Sequence, residues 1–116
     1  MFYKDTGNIG YKIVNSYNEG IFYGGIDYKI GAEIVDNDFD SDETKPCAAG
    51  INLATLDWCM REYHEGYKIL ICEFPKEYNN EPNICIPIAT DGKFRVKYCK
   101  VVDEIDLTEF GLNIDG

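Results

Sequence analysis

The densest chemistry in the chain lies in Asp36-Asn37-Asp38-Phe39-Asp40-Ser41-Asp42-Glu43, where acids recur at every second position. Acids so spaced suggest a calcium loop, but that loop needs a glycine at its sixth position and a glutamate at its twelfth, which here are Ser41 and Cys47. No metal is expected. Read as an extended segment, Asp36, Asp38, Asp40 and Asp42 project to one side at roughly 6.6 to 6.8 Å, twice the rise of a strand residue. A row of anions at that interval imitates a phosphate backbone and attracts a basic groove, with Glu43 adding to the charge. The aromatic residues Tyr17, Phe22, Tyr23 and Trp58 are the candidate anchors that such a contact would bury.

A second group is basic. Lys93, Arg95, Lys97 and Lys100 fall within eight positions, whereas residues 101–116 carry five acids and no base. With Asn52 and Thr55 upstream, Arg95 and Lys97 define a candidate small-molecule site in which the strand's cations meet phosphates. No glycine-rich phosphate loop accompanies it, and the ordinary reading is an exposed hairpin face. The five cysteines lack a CxxC pair, which argues against a zinc ribbon, and Cys59, Cys72 and Cys85 sit inside apolar patterns as small core side chains. The single histidine, His64, stands near the end of a helix, where solvent and the helix dipole favour it. No residue set has the spacing of an enzyme site, and neither catalysis nor a cofactor is expected.

The elements that position these residues follow from periodicity. Ile9 to Val14 and Ile26 to Val35 alternate as strands, the second with Ile26, Tyr28, Ile30, Ala32 and Ile34 on one face and a bend at Gly31. Asn15 to Gly25 is a loop. Ile51 to Ala54 is a short strand that leads into a helix over about 55–65, capped by Thr55, with Leu56, Cys59, Met60 and Tyr63 as its apolar stripe. Tyr67 to Phe74 is a nearly continuous apolar run, a central strand ended by Pro75, and Glu77 to Asn83 is a loop. Ile84, Ile86 and Ile88 share a face of a strand in which Pro87 implies an edge or a bulge. Asp91-Gly92 then turns a hairpin into a return strand, Phe94 to Val102, with Lys93, Arg95 and Lys97 on its solvent side. The expected fold is α+β, a mainly antiparallel sheet of about five or six strands packed against one amphipathic helix.

Length and composition bound the rest. At 116 residues the chain is one domain, with a flexible tail over about 108–116, and its 45% hydrophobic content excludes a disordered acidic segment. The net charge of -10 excludes a surface held on nucleic acid or anionic lipid by charge. No apolar run reaches the roughly 18 to 20 residues of a membrane span, and Met1 to Asp5 lacks the pattern of a secretory signal. A cytoplasmic protein without a membrane partner is expected.

Cys47-Ala48-Ala49-Gly50-Ile51-Asn52, the helix, the strand ending in Glu73-Phe74, and Asp91-Gly92-Lys93-Phe94-Arg95 together resemble small domains of unknown function from phages, prophages and bacterial mobile elements. The family pattern is Cys-x-x-Gly-[Ile/Leu/Phe]-His, a helix, an apolar strand and Asp-Gly-Lys-[Phe/Ile]-Arg, over roughly residues 8 to 107. Asn52 replaces its histidine. The resemblance implies a phage context in a bacterial host cytoplasm, where a short acidic protein acts as an inhibitor of host defence. The expected partner is a defence nuclease of the CRISPR-effector kind, whose nucleic-acid channel the protein plugs as a mimic without touching nucleic acid itself. The alternative is a nucleotide or cyclic-oligonucleotide binding protein, a sponge, or a degenerate transferase-like domain.

Overall fold

The computed structural model describes residues 8–20, 26–46, 48–88 and 90–106. Phe22, Tyr23, Cys47 and the expected tail over about 108–116 lie outside them. The strands are β1 (Asn8–Val14), β2 (Glu33–Val35), β3 (Ile51–Ala54), β4 (Lys68–Phe74), β5 (Glu77–Tyr78), β6 (Glu81–Pro82), β7 (Ile84–Cys85), β8 (Lys93–Val96) and β9 (Tyr98–Glu104). One helix, α1 (Leu56–Glu62), follows β3. The fold is α+β. Seven antiparallel strands run in the order β2-β9-β4-β1-β3-β8-β7, and β5 and β6 make a second, two-stranded sheet.

The strand order forces a curled sheet. β8 and β9 are joined by Lys97 alone, yet they lie four places apart in the sheet. One residue spans so few ångströms that the two halves of the sheet must coil towards each other. The expected single strand Phe94 to Val102 is therefore two strands with a sharp bend between them. Asn83 holds that bend. It is fully buried, its Nδ2 donates to the carbonyls of Pro75 (2.8 Å) and Tyr98 (3.0 Å), and its Oδ1 accepts from the N–H of Lys97 (3.1 Å) and Tyr98 (2.8 Å). All four hydrogen-bonding positions of the amide are used.

Curling separates two cores. Within the curl, Val14, Leu53, Leu70, Cys72, Val96, Cys99 and Val101 pack with Tyr28 and Ile34. On the outer side Ile13, Ala54, Cys59 and Ile69 pack beneath α1, with Trp58, Leu56, Met60 and Tyr63 half-buried around them. Both faces of β1 and β4 are thus covered, and the apolar run of β4 is the central strand its composition predicts, lying between β9 and β1. Cys59, Cys72, Cys85 and Cys99 are buried thiols. Burial pushes the Cys59 thiol up to about 12.

Several expected elements are shorter than their patterns. The alternation from Ile26 to Val35 yields only the three residues of β2, because the chain turns at Ile30-Gly31, where Ala32 N–H bonds Lys29 carbonyl (3.0 Å) and Gly31 takes φ +93°. Tyr28 and Ile34 are buried, whereas Ile26 and Ile30 face solvent. The helix stops at Glu62, three residues early, since Tyr63 is already extended and Tyr67 N–H closes a turn on the His64 carbonyl (3.0 Å). The loop expected over Glu77 to Asn83 contains the β5–β6 hairpin, whose turn residues Asn79 and Asn80 both have positive φ, as a type I′ turn requires. β7 is an edge strand, as Pro87 requires, but only Ile84 and Cys85 pair with β8. Residues 86–92 connect the two strands in place of a tight Asp-Gly turn, leaving Ile86 and Ile88 exposed. Among the described residues no helix is long and apolar enough to cross a membrane.

Candidate functional site

Arg95 is the least expected residue in the molecule. The alternation of its strand places it with Lys93 and Lys97 towards solvent, yet it is 1% exposed. Its guanidinium reaches the loop that carries the acids. Nε donates to the Asp40 carbonyl (2.6 Å), one terminal nitrogen to the Asp42 carbonyl (2.8 Å) and the other to the Lys45 carbonyl (2.8 Å). A planar fork with fixed donors is suited to gripping three carbonyls at once. Gly50 makes room for it: a Cβ there would stand 3.0 Å from Arg95 Cδ and 3.2 Å from Phe39, and φ is +145°. Arg95 is consequently not available to a phosphate, and the candidate small-molecule site loses its strongest cation. Lys97 is half-buried at the bend.

The acidic loop is folded rather than extended. Asp36 Oδ1 accepts from Asp38 N–H (2.9 Å), Asp40 Oδ1 from Asp42 N–H (2.8 Å), and Asp42 Oδ1 from Thr44 N–H (2.9 Å) and Thr44 hydroxyl (2.6 Å). These are successive Asx turns, in which a short acid bonds the backbone two residues on. The even 6.6 to 6.8 Å row therefore does not form. Lys45 Nζ adds an ion pair to Asp40 Oδ2 at 3.0 Å. The backbone bond from Asp42 and the Lys45 ammonium hold the Asp40 carboxyl below its usual range, and the Thr44 hydroxyl and N–H do the same for Asp42. Asp38, Asp42 and Glu43 are exposed, Asp40 is half-buried, and Asp36 turns towards a cavity described below. Ile88 N–H donates to the Glu43 carbonyl (2.8 Å), which brings exposed Ile88 and Ile86 beside the acids. The period-2 reading of residues 84–88 put Ile84, Ile86 and Ile88 on one face of a strand, but the strand ends at Cys85, two residues before Pro87.

The aromatic candidates are dispersed. Tyr17 is 79% exposed on the loop after β1. Trp58 packs at the edge of the outer core with Lys93 Nζ 5.8 Å above its ring. Thr55 serves as the N-cap, accepting from Trp58 N–H at 3.3 Å. Gly92 packs against it, at a φ of +100° and with room for no side chain, since a Cβ would come within 2.6 Å of Thr55 Oγ1. A groove beside that cap is lined by Arg61 and Asp91, which satisfy each other in an exposed ion pair of 2.7 Å.

Asn52 belongs to a different feature. β1 and β3 share one registered pair, Tyr11 opposite Ala54, and then part. Beyond it Lys12 Nζ donates to the Asn52 carbonyl at 2.8 Å and lies 4.8 Å from the centre of the Tyr28 ring. A cavity of about 640 Å³ opens between the strands, walled by Tyr11, Ile13, Tyr28, Leu53, Trp58 and Cys59, with Lys12, Lys93, Asn52 and Asp36 as its ionic and amide groups. Burial lowers the Lys12 pKa. Lys12 was hidden in sequence because an alternating strand is expected to present such a residue to water, whereas in the fold it is half-buried beside Tyr28. Among the described residues no group of three or more His, Cys, Asp or Glu side chains is placed to hold a metal.

No family model matches the chain, and no curated protein or solved structure matches it either.

Proposed function

We propose that the protein is an acidic binding inhibitor that docks the loop of residues 36–46 into a basic, nucleic-acid-handling cleft of another protein. The observation that carries this reading is Arg95 gripping the carbonyls of Asp40, Asp42 and Lys45 from inside. With the carbonyls directed inward to the guanidinium, the loop is preorganised as an anionic knob, and less ordering is needed on contact. The carboxylates are ionised throughout the neutral range, and the lowered Asp40 and Asp42 pKa values extend that charge into more acid solution. Ile86 and Ile88 supply an apolar contact beside it, the arrangement of a charged rim around a desolvated anchor. The net charge of -10 steers approach to a cationic partner. A bacterial defence nuclease of the CRISPR-effector kind is the partner class that the motif resemblance favours.

The test compares two baits in a bacterial lysate, the natural chain and a variant carrying Asp38→Asn, Asp40→Asn, Asp42→Asn and Glu43→Gln. Asparagine keeps an acceptor for each Asx turn, so charge is removed while shape stays. Asp36 is left alone because it lines the cavity. The expected result is a nucleic-acid enzyme held by the natural bait at low salt, released at raised salt, lost from the variant, and blocked from nucleic acid by the natural protein. Equal capture by both baits, with the same salt profile, overturns the reading.

A further inference from the structure

The cavity between β1 and β3 has no part in that docking reading, and its chemistry is of another kind. Its volume of about 640 Å³ falls in the range of about 300–1,000 Å³ typical of small-molecule sites. Its walls are mainly apolar and aromatic, with Tyr11, Tyr28 and Trp58 among them. Its cations are two lysines at different stations. Lys12 is rooted in the central part of the sheet, where its ammonium meets the Asn52 carbonyl and the Tyr28 ring. Lys93 stands over Trp58.

An ammonium has three N–H donors. Among the described residues one N–H bonds the Asn52 carbonyl and the Tyr28 ring face takes up part of the charge, which leaves further donors for the cavity side. A half-buried cation with donors facing an apolar cavity favours an anionic partner. The same cavity carries Asp36, whose carboxylate opposes a ligand bearing several negative charges. Two lysines against one aspartate, with aromatic walls, fit one negative charge on a flat apolar body. A nucleotide, with two or more phosphate charges and a polar sugar, fits poorly.

We infer that the cavity between β1 and β3 is a binding site for a compact aromatic monoanion, an arene carboxylate or sulfonate, with its acid group on Lys12 and its ring between Tyr28 and Trp58. The chain's single tryptophan lines the cavity and serves as the reporter.

Two fluorescent probes of similar shape separate anion recognition from general greasiness: 8-anilinonaphthalene-1-sulfonate, which carries one negative charge, and N-phenyl-1-naphthylamine, which carries none. The sulfonate is expected to bind the natural protein with energy transfer from Trp58. Lys12→Met is expected to weaken the sulfonate by about tenfold or more, the loss of one charge-assisted hydrogen bond, while the neutral probe stays within about twofold. Lys12→Gln, which keeps a donor for Asn52 but no charge, should behave as Lys12→Met does. ATP at millimolar concentration should not displace the sulfonate. The inference is overturned if the sulfonate fails to quench Trp58, if either variant binds it as tightly as the natural protein, or if ATP displaces it. The variant with the neutralised acidic loop retains Asp36 and Lys12, so it should bind the sulfonate normally even if its docking is lost.

Discussion

Arg95 and Lys12 are both cations drawn into the molecule, and they differ in how far the protein satisfies them. Arg95 meets three carbonyls through three separate nitrogens and is sealed from water. Among the described residues Lys12 meets one carbonyl and one ring at the wall of a cavity. A saturated cation has nothing left to offer a ligand and becomes architecture. An unsaturated one keeps part of its hydrogen-bonding capacity and so remains able to recognise. The loop around Arg95 exports its charge through the side chains of Asp38, Asp42 and Glu43, whereas the cavity around Lys12 keeps its charge inside.

The largest expected effect breaks the saturated site. Arg95→Met leaves three carbonyls without their donor and should cost about 3–5 kcal/mol in urea unfolding, with amide exchange accelerating across residues 36–46. Lys12→Met, by contrast, removes one hydrogen bond together with a desolvation cost, and should change stability at pH 7 by less than about 1 kcal/mol. Equal losses from the two substitutions would mean that the number of partners does not separate the two cations.

A pH comparison sharpens the same contrast. The Lys12 pKa is lowered by burial, so the folded protein binds fewer protons there than the unfolded chain between its own pKa and the ordinary value near 10.4. The penalty is full below the folded pKa and fades as pH rises, so the natural protein should gain stability relative to Lys12→Met as pH climbs towards the ordinary lysine value. Cys59, Cys72, Cys99 and Tyr28 surround Lys12 and are present in both proteins; the Lys12 charge also lowers the pKa of the Cys59 and Cys72 thiols, so the difference reports the amine together with its coupling to them. Tyr28, raised by its own burial, limits the range at the alkaline end. A natural protein that gains nothing on Lys12→Met as pH rises would show that the amine is hydrated.

The two cations also mark the boundary of what the sequence made legible. Patterns that depend on neighbours in the chain are realised: β1, β3 and β4, the cap at Thr55, the edge position of the Pro87 segment, and the cysteines as core. Patterns whose meaning depends on a distant segment are not. Arg95 alternates as a solvent-facing residue, and only carbonyls 50 to 55 positions earlier draw it inside. Lys12 alternates in the same way, and the curl of the sheet covers the face it occupies. That curl follows from the bend at Lys97, which is held by Asn83, a residue that reads as an ordinary loop asparagine until its four bonds are seen. The segments around Gly50 and Arg95 meet in space, with Ile51 opposite Val96 and Asn52 opposite Arg95. There Arg95 is seated against a position with no side chain.

The smallest effect separates the loop's own turns from the arginine beneath them. The Asp42 carboxyl is held below its usual range chiefly by the Thr44 hydroxyl, then by the Thr44 N–H. Thr44→Val deletes the hydroxyl and leaves Arg95 and its three carbonyls untouched. Asp42 should then titrate closer to its ordinary value in a carboxyl NMR titration, while the neutral-pH melting midpoint moves by no more than about 2 °C. A depressed carboxylate contributes stability that is present above its ordinary pKa and is lost as pH falls through the folded value. Thr44→Val lacks this contribution, so the small difference between the two melting midpoints should be present at neutral pH and should close as pH falls below about 4. If Thr44→Val instead loosens amides 36–46 at neutral pH as Arg95→Met does, the turns and the arginine hold the loop jointly, and the anionic knob depends on its own side chains as much as on the buried cation.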